Sequence, residues 1–580
     1  MSEKVVHDEK ASGDEGSNPE IVSDLKTEPV FIEKPTLREY LILASVSRAN
    51  EIKPDAPPIE LLHTRKTEYE RELEQARRAL RTATWVSVFY LITTDILGPF
   101  NAPFAFSQVG YVPGVILYVV MGGVACLTGL QLWRLFCRLD SHQYPIKTYG
   151  DLAERALGTQ FKHLCTALQS LQLIINVWEF IVGVICLSNG QSLEQLAANH
   201  HFCFSIEVLI WALVGMFLGQ IRSLQKYGFF ANSAVWLNLT IIFTSMGFVA
   251  HSPPNFAAAK AAFGFDPAPV QTAKFTTLPL FDKVNGIMQM YVFKWLHVQN
   301  SSDPHDLWQG GASDAMPGVW GSVASCTLLV FAYGGAMIFP EFLAEMRRPM
   351  DFWKGMVCAQ LLICTAYMLY GLFVYSFQGQ FTLPLAYQGV SKQSWQDVGN
   401  VLALITGIIA AGLYEVAYYN IVEGWFKGPV LTSRAGRFIW TFMVIIYWAL
   451  GSAIPQVASI SGIVAAICIM QFSYTFPPLL MLGYKMKVAA AGLVEEDKLA
   501  FGEVIDPNTP SRDPGDTWRH WSRWRRGFFG GGNWMANLFN LVLFLGSLTM
   551  ACLGMYGSGT AVKVTFENGA ATSFGCTPPV

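Results

Sequence analysis

Charge is scarce in this chain. Of its 580 residues only 14% are Asp, Glu, Lys or Arg, against 52% hydrophobic. That balance excludes an ordinary soluble domain and points to an integral membrane protein. A net charge of −3 supplies no basic surface for a nucleic-acid partner. The first 83 residues contain no apolar run, so no cleaved signal peptide is expected and the first span acts as the anchor. The eleven cysteines include no C-x-x-C pair, so neither a metal site nor a disulfide scaffold is expected. G-x-x-x-x-G-K, H-E-x-x-H and G-x-S-x-G are also missing, which leaves no signal for an enzyme and no catalytic residue to name. No span carries a filter-like repeat, which argues against a channel.

What is present is a series of apolar runs, each close to the roughly 20 residues a helix needs to cross the hydrocarbon core. Eleven occur, near 84–107, 112–136, 162–188, 205–221, 229–250, 319–340, 354–377, 397–422, 437–455, 457–482 and 534–556. With the N-terminus placed inside, inner loops hold 21 Lys and Arg and outer segments 6. This bias predicts a cytosolic N-terminus and an outer C-terminus. The organisation is then a cytosolic tail (1–83), a ten-helix core (84–482), a cytosolic loop (483–533), and an eleventh helix with an outer tail (534–580). Within the core, two halves (84–250 and 319–482) flank an outer loop (251–318). Asn300, in Asn300-Ser301-Ser302, is a glycosylation acceptor in that loop. Cys203 and Cys576 both fall outside, where they either pair or remain two thiols. The stretch Arg65–Arg81 reads as a charged, solvated helix. In the cytosolic loop, Trp518, Trp521 and Trp524 recur every three residues among basic groups, as in an amphipathic helix lying at the lipid headgroups.

Two spans are interrupted. The first contains Gly98, Pro99 and Pro103; the sixth contains Gly334, Gly335 and Pro340. Within hydrocarbon, non-helical backbone is tolerated only where protein buries it or it lines a cavity. Spans 1 and 6 open two five-helix sets, and because five is odd the second set enters from the opposite side. The pattern is an inverted repeat with a break at the same place in each half, as in secondary transporters. Freed N–H groups can hold a carboxylate, and freed carbonyls an ammonium or a cation. Simple kinking by Gly and Pro is the competing explanation.

The stretch "FAYGGAMIFPEFLAEMRRPMDFWKG" (Phe331 to Gly355) is similar to the sixth-span signature of the amino acid/auxin permease family. "TYGDLAERALG" (Thr148 to Gly158) resembles that family's second inner loop, and "GPFNAP" (Gly98 to Pro103) its first-span break. "WSRWRRGFF" resembles fungal members close to the neutral amino acid permeases. The resemblance covers roughly residues 80–560. It implies an all-α membrane protein of LeuT-like fold, a 5+5 inverted repeat with broken helices 1 and 6 plus an eleventh helix. It also implies amino acid uptake driven by an ion gradient. By that geometry, backbone from Gly98 to Ala102 meets the substrate carboxylate and carbonyls of Phe331, Ala332 and Tyr333 its ammonium. Phe100, Asn101, Asn176 and Tyr333 shape the side-chain pocket, and Gly334 with Gly335 permits the opening. Phe100 and Asn101 stand where the family usually has Leu and Ser, and Pro99 adds a ring, which leaves the substrate's size open.

Carboxylates inside spans are costly and are candidates for function. Asp95, Glu179 and Glu415 are the three candidates for proton coupling; a structural hydrogen bond is the alternative for each. Glu341 and Glu345 fit better as interfacial charges or a gate-like pair near Arg347 and Arg348. The ten histidines all avoid the span interiors, span 5 has no lysine, and Thr406 is the one hydroxyl near the middle of span 8. Protons are therefore expected in preference to sodium, with no bound cofactor or metal. The expected function is proton-coupled symport of neutral amino acids into the cytosol, at the plasma membrane rather than the vacuole. The expected partners are the amino acid and the bilayer, and the oligomeric state stays open. A nutrient receptor on a transporter scaffold, or a carrier of another small amine or zwitterion, is the alternative.

Overall fold

The computed structural model describes residues 35–52, 81, 83–179, 203–218, 224–263, 266–274, 333–383, 386–425, 443–453, 463–506, 520–532, 534–567 and 574–576. Every named element among them is helical. Six helices are long and apolar enough to cross a membrane: Tyr111–Leu139, Phe230–Ala250, Pro349–Phe381, Ser394–Tyr414, Ala465–Ala491 and Trp534–Tyr556. Among the described residues these correspond to six of the eleven expected spans, while parts of the fourth, sixth and ninth lie outside the described residues. Trp85–Ile96 and Phe204–Val214 are shorter apolar helices.

Helix α1 (Leu37–Ile52) precedes the spans. The first span is two helices, α2 (Trp85–Ile96) and α3 (Ala102–Val109), separated by extended Leu97 and a 3-10 turn at Pro99–Asn101. Thr84 starts α2 by accepting a hydrogen bond from the Ser87 N–H at 3.3 Å, which satisfies one of the orphan donors of a helix start. Next come α4 (Tyr111–Leu139), the short α5 (Tyr149–Leu157), α6 (Thr159–Glu179), α7 (Phe204–Leu218), α8 (Leu224–Ala250) and α9 (Phe256–Phe263). Of the sixth span, residues 333–335 are non-helical, Ala336–Ile338 is a 3-10 turn, and α10 (Phe339–Glu345) follows. Then come α11 (Phe352–Gln378), α12 (Gln393–Trp425) and α13 (Met443–Ala453). Two π-helical turns, Ala465–Ile469 and Gln471–Thr475, lead into α14 (Phe476–Ala491). The chain closes with α15 (Val494–Lys498), α16 (Trp521–Phe529) and α17 (Trp534–Glu567).

Small residues set how closely these helices approach. A Cβ on Gly355 of α11 would sit 2.8 Å from the Trp85 carbonyl, and one on Gly371 would sit 2.5 Å from the Phe106 ring. Both pieces of the first span therefore lie directly against α11, packed at interior density. The "TYGDLAERALG" stretch forms the start of α5. Thr148 accepts from the Asp151 N–H at 3.2 Å, and the Asp151 carboxylate accepts from the Thr148 N–H at 3.1 Å. That reciprocal capping box accounts for Thr and Asp at this spacing.

Helix α1 docks beside the end of α4, a feature with no counterpart in the sequence reading. Its Arg48 is 1% exposed and Asp140, at the end of α4, is 0% exposed. Arg48 donates to Asp140 Oδ2 at 2.5 Å, and Arg81 donates to Oδ2 and Oδ1, each at 2.8 Å. The Ile146 N–H also donates to Asp140 Oδ1 at 2.9 Å, and Arg48 reaches Glu51 at 2.8 Å. Burial pushes the Asp140 carboxyl up, but Arg81 and Arg48 outweigh it and hold its pKa below the usual carboxylate value. One carboxylate thus ties the N-terminal tail, the approach to the first span and the end of the second. The charged stretch 65–80 lies outside the described residues.

A second tie lies elsewhere. Cys203 and Cys576 form a disulfide, which decides between the two alternatives the sequence left open. The tail runs on to α13: Phe574 N–H donates to the Ser452 carbonyl, and Ser205 Oγ donates to the Gly575 carbonyl at 3.1 Å. Trp448 of α13 donates to the Ser205 carbonyl at 3.0 Å. The segment after α17 therefore staples α7 to α13.

Candidate functional site: two helix breaks in contact

The interruptions of the first and sixth spans touch. A Cβ on Gly335 would collide with the Asp95 carboxylate and sit 2.9 Å from the Ile96 side chain. Only glycine allows this approach of backbone to side chain. At the far ends of the same segments, the Ala83 N–H donates to the Glu345 carbonyl and the Arg347 N–H to the Ala83 carbonyl, both at 2.9 Å. Hence α2 and α10 run side by side in opposite directions, tied at one end by backbone hydrogen bonds and meeting break to break at the other.

Breaking a helix frees carbonyls that need partners. Tyr367 of α11 donates its hydroxyl to the Ile96 carbonyl at 3.0 Å and accepts from the Gly98 N–H at 3.3 Å. Asn238 of α8 donates to the Leu97 carbonyl at 2.9 Å. On the sixth-span side, Gln169 of α6 donates to the Met337 carbonyl at 2.8 Å and to Glu341 Oε1 at 2.9 Å. Tyr367, Asn238 and Gln169 escaped the sequence reading; each is a polar side chain within a spanning helix, a costly placement that could have flagged them.

Glu341 is fully buried against Gln169, whereas Arg347 and Arg348 are exposed. The expectation of an interfacial or gate-like Glu341 is corrected accordingly. The sequence placed this carboxylate by its nearness to Arg347 and Arg348 along the chain, and nearness in sequence does not reveal that the side chain meets Gln169 of α6.

The other candidates fall as follows. Gly98 opens onto free space: a Cβ there meets nothing within 4 Å. Ala102 is buried, and Phe100 packs edge-on against Tyr370 and Tyr387 with ring centroids 6.1 and 5.4 Å away. Asn101 Oδ1 and Asn176 Oδ1 are buried with no hydrogen-bond partner among the described residues. The Tyr333 hydroxyl donates to the Tyr118 carbonyl at 3.1 Å, and its ring lies among Tyr118 and Tyr367. Gly334 lies in the non-helical segment with Gly335. Both carboxyl oxygens of Asp95 are buried, and the Tyr414 hydroxyl of α12 lies close enough to donate a hydrogen bond to them. Phe331, Ala332 and Asn300 lie outside the described residues. The backbones of Glu179 and Glu415 are helical, at the end of α6 and within α12, but their side chains lie outside what is described.

A break-to-break contact with open space at Gly98 and buried polar atoms at Asn101 and Asn176 can hold a small polar molecule. Residues 81–492 match the family described as transmembrane amino acid transporter protein. Among curated proteins, the N amino acid transport system protein of Neurospora crassa is 24% identical over 429 residues, covering 71% of this chain and 78% of that one. The lysine histidine transporter-like 3 of Arabidopsis thaliana is 21% identical over 428 residues, 70% of this chain and 82% of that one. The match spans both helix breaks, the capping-box loop and the Arg81–Asp140 tie, and the chain belongs to the transmembrane amino acid transporter family.

Proposed function

We propose that this chain is a proton-coupled symporter of neutral amino acids, built on a LeuT-like 5+5 inverted repeat with its substrate site at the two breaks. The observation that carries this reading is the contact of Gly335 with Asp95 and Ile96, which brings together two interrupted helices that run in opposite directions. The N–H groups of Phe100, Asn101 and Ala102, at the favourable end of the α3 dipole, would receive the substrate carboxylate. Among the described residues of the two breaks the only ionisable groups are Asp95 and Tyr333. Such a pocket offers no basic partner for an acidic side chain, which favours neutral substrates.

Asp95 is the coupling group. A carboxyl buried within a span is a place where a proton can be taken up from one side and released to the other as the site alternates. Thr406 donates to the Leu402 and Ala403 carbonyls of its own helix at 3.2 and 3.0 Å, which supports protons over sodium. One proton crossing 100 mV releases about 2.3 kcal/mol, enough for roughly 50-fold accumulation of a zwitterion.

The test is a panel of radiolabelled amino acids in transport-deficient cells at two external pH values, with Asp95→Asn beside the natural chain. Uptake by the natural chain should rise on acidification. The variant should lose that rise and concentrative uptake while still exchanging internal for external substrate. A variant with an unchanged pH profile removes Asp95 from coupling, and binding without flux in vesicles would make the chain a receptor.

Orientation with the N-terminus inside is supported by the distribution of Lys and Arg and by the Cys203–Cys576 disulfide, since such bonds persist in oxidising compartments. In intact cells an impermeant maleimide should label Cys203→Ser, through the freed Cys576, and leave the natural chain unlabelled. Equal labelling of both would refute the placement at the plasma membrane with this face outside.

A further inference from the structure

We propose that α16 forms a binding site for the headgroup of an anionic phospholipid, continuous with the lipid-facing surface of α17. Trp521, Ser522, Arg525, Arg526 and Phe529 recur at helical spacing on one face and, with Gly530, line an open groove of about 570 Å³. The other side of α16 is used for packing. Gly527 is buried and α16 lies on α14, while at the end of the groove a Cβ on Gly530 would sit 3.5 Å from the Ala489 Cβ of α14. The groove therefore faces away from the protein body.

Its chemistry is specific. Trp521 is 78% exposed and Phe529 59% exposed, one at each end of the face, with the two guanidinium groups between them. Trp521–Phe529 contains three arginines and no acidic residue, so the helix carries a net positive charge. Guanidinium pairs match phosphate oxygens in bidentate geometry, and indole and phenyl rings settle at the level of lipid headgroups. The surface then continues into apolar ground. Helix α17 begins at Trp534, and its Met535, Phe539 and Val542 are 64%, 51% and 61% exposed. A headgroup held at Arg525 and Arg526 leaves its acyl chains to run along these side chains. That continuity commits the groove to a lipid rather than a free anion.

The test uses the purified full chain in detergent, titrated with phosphatidylserine or phosphatidylcholine, with bound lipid counted by native mass spectrometry. Two basic side chains at an anionic headgroup predict a preference for phosphatidylserine of about 30-fold. The pair Arg525→Gln/Arg526→Gln should bring that ratio near one. Arg347→Gln/Arg348→Gln removes the same charge from another exposed site and should leave the ratio intact. Arg525 and Arg526 are exposed, and the single Arg525→Gln, which disturbs packing least, should lower the ratio about fivefold. Equal binding of the two lipids overturns the proposal, as does an equal loss in the control pair. Displacement of the lipid by inorganic phosphate would also overturn it by marking a free-anion site. Lipid occupancy is read without transport, so failure here and failure of the symport assignment are separate results.

Discussion

Gly335→Val is expected to abolish amino acid uptake while the protein still reaches the membrane. The added carbons occupy the position of the Asp95 carboxylate and press on Ile96. To relieve that overlap the two breaks must separate, at an overpacking cost of about 1–3 kcal/mol, which a protein of this size survives. Function is less forgiving, because a displacement of about 1 Å at a positioning contact costs on the order of 100-fold in rate. Gly335→Ala should fall between the two. Gly98→Ala is the informative contrast, since its methyl enters open space and should spare folding while weakening substrate binding. Initial uptake rates normalised to surface biotinylation decide the matter; near-normal uptake by Gly335→Val would show that transport does not need this contact.

Asp140→Asn should produce the largest loss of stability of any single change considered. It leaves the Arg48 and Arg81 guanidinium groups buried around a neutral amide, and breaking a buried ion pair by removing one partner costs about 3–5 kcal/mol. The tail helix α1 would then detach, with a fall in apparent Tm and in the yield of monodisperse protein. Replacing Arg48 and Arg81 by Met in the same chain should recover part of the loss, because the uncompensated charge is gone. The pH dependence follows from the sign of the shift. The Asp140 pKa is depressed in the folded state, so its contribution is present above the unfolded carboxylate value and is lost as pH falls through the folded one. Thermal melts between pH 5 and 8 should therefore show no change from this group. An Asp140→Asn protein that melts with the natural chain would show that the cluster adds nothing to the fold.

The helix breaks were legible because Gly98, Pro99, Gly334 and Gly335 announce themselves against an apolar background, and the capping box at Thr148 and Asp151 sits within four residues. What was hidden depends on distance along the chain. Asn238 reaches Leu97 across 141 residues and Tyr367 reaches Ile96 across 271; neither partner leaves a local pattern. Helix α1 was missed for a different reason. It buries Arg48 and two serines beside Leu41 and Ala44, so its inner face is partly polar and lacks the apolar stripe that marks an amphipathic helix. Tyr333 lies in the sixth-span break, and its ring packs against Tyr118 and against Tyr367, the residue that bonds the first-span break.

The staple between Cys203 and Cys576 also bears on biogenesis. The two sulfurs are separated by 373 residues, and the intervening stretch includes nearly all of the later spans. Ribosomes finish the first partner long before the second exists, so Cys203 must wait as a thiol until the final helix has been inserted and its tail has found α7. The bond thus forms only once the tail beyond α17 has reached α7.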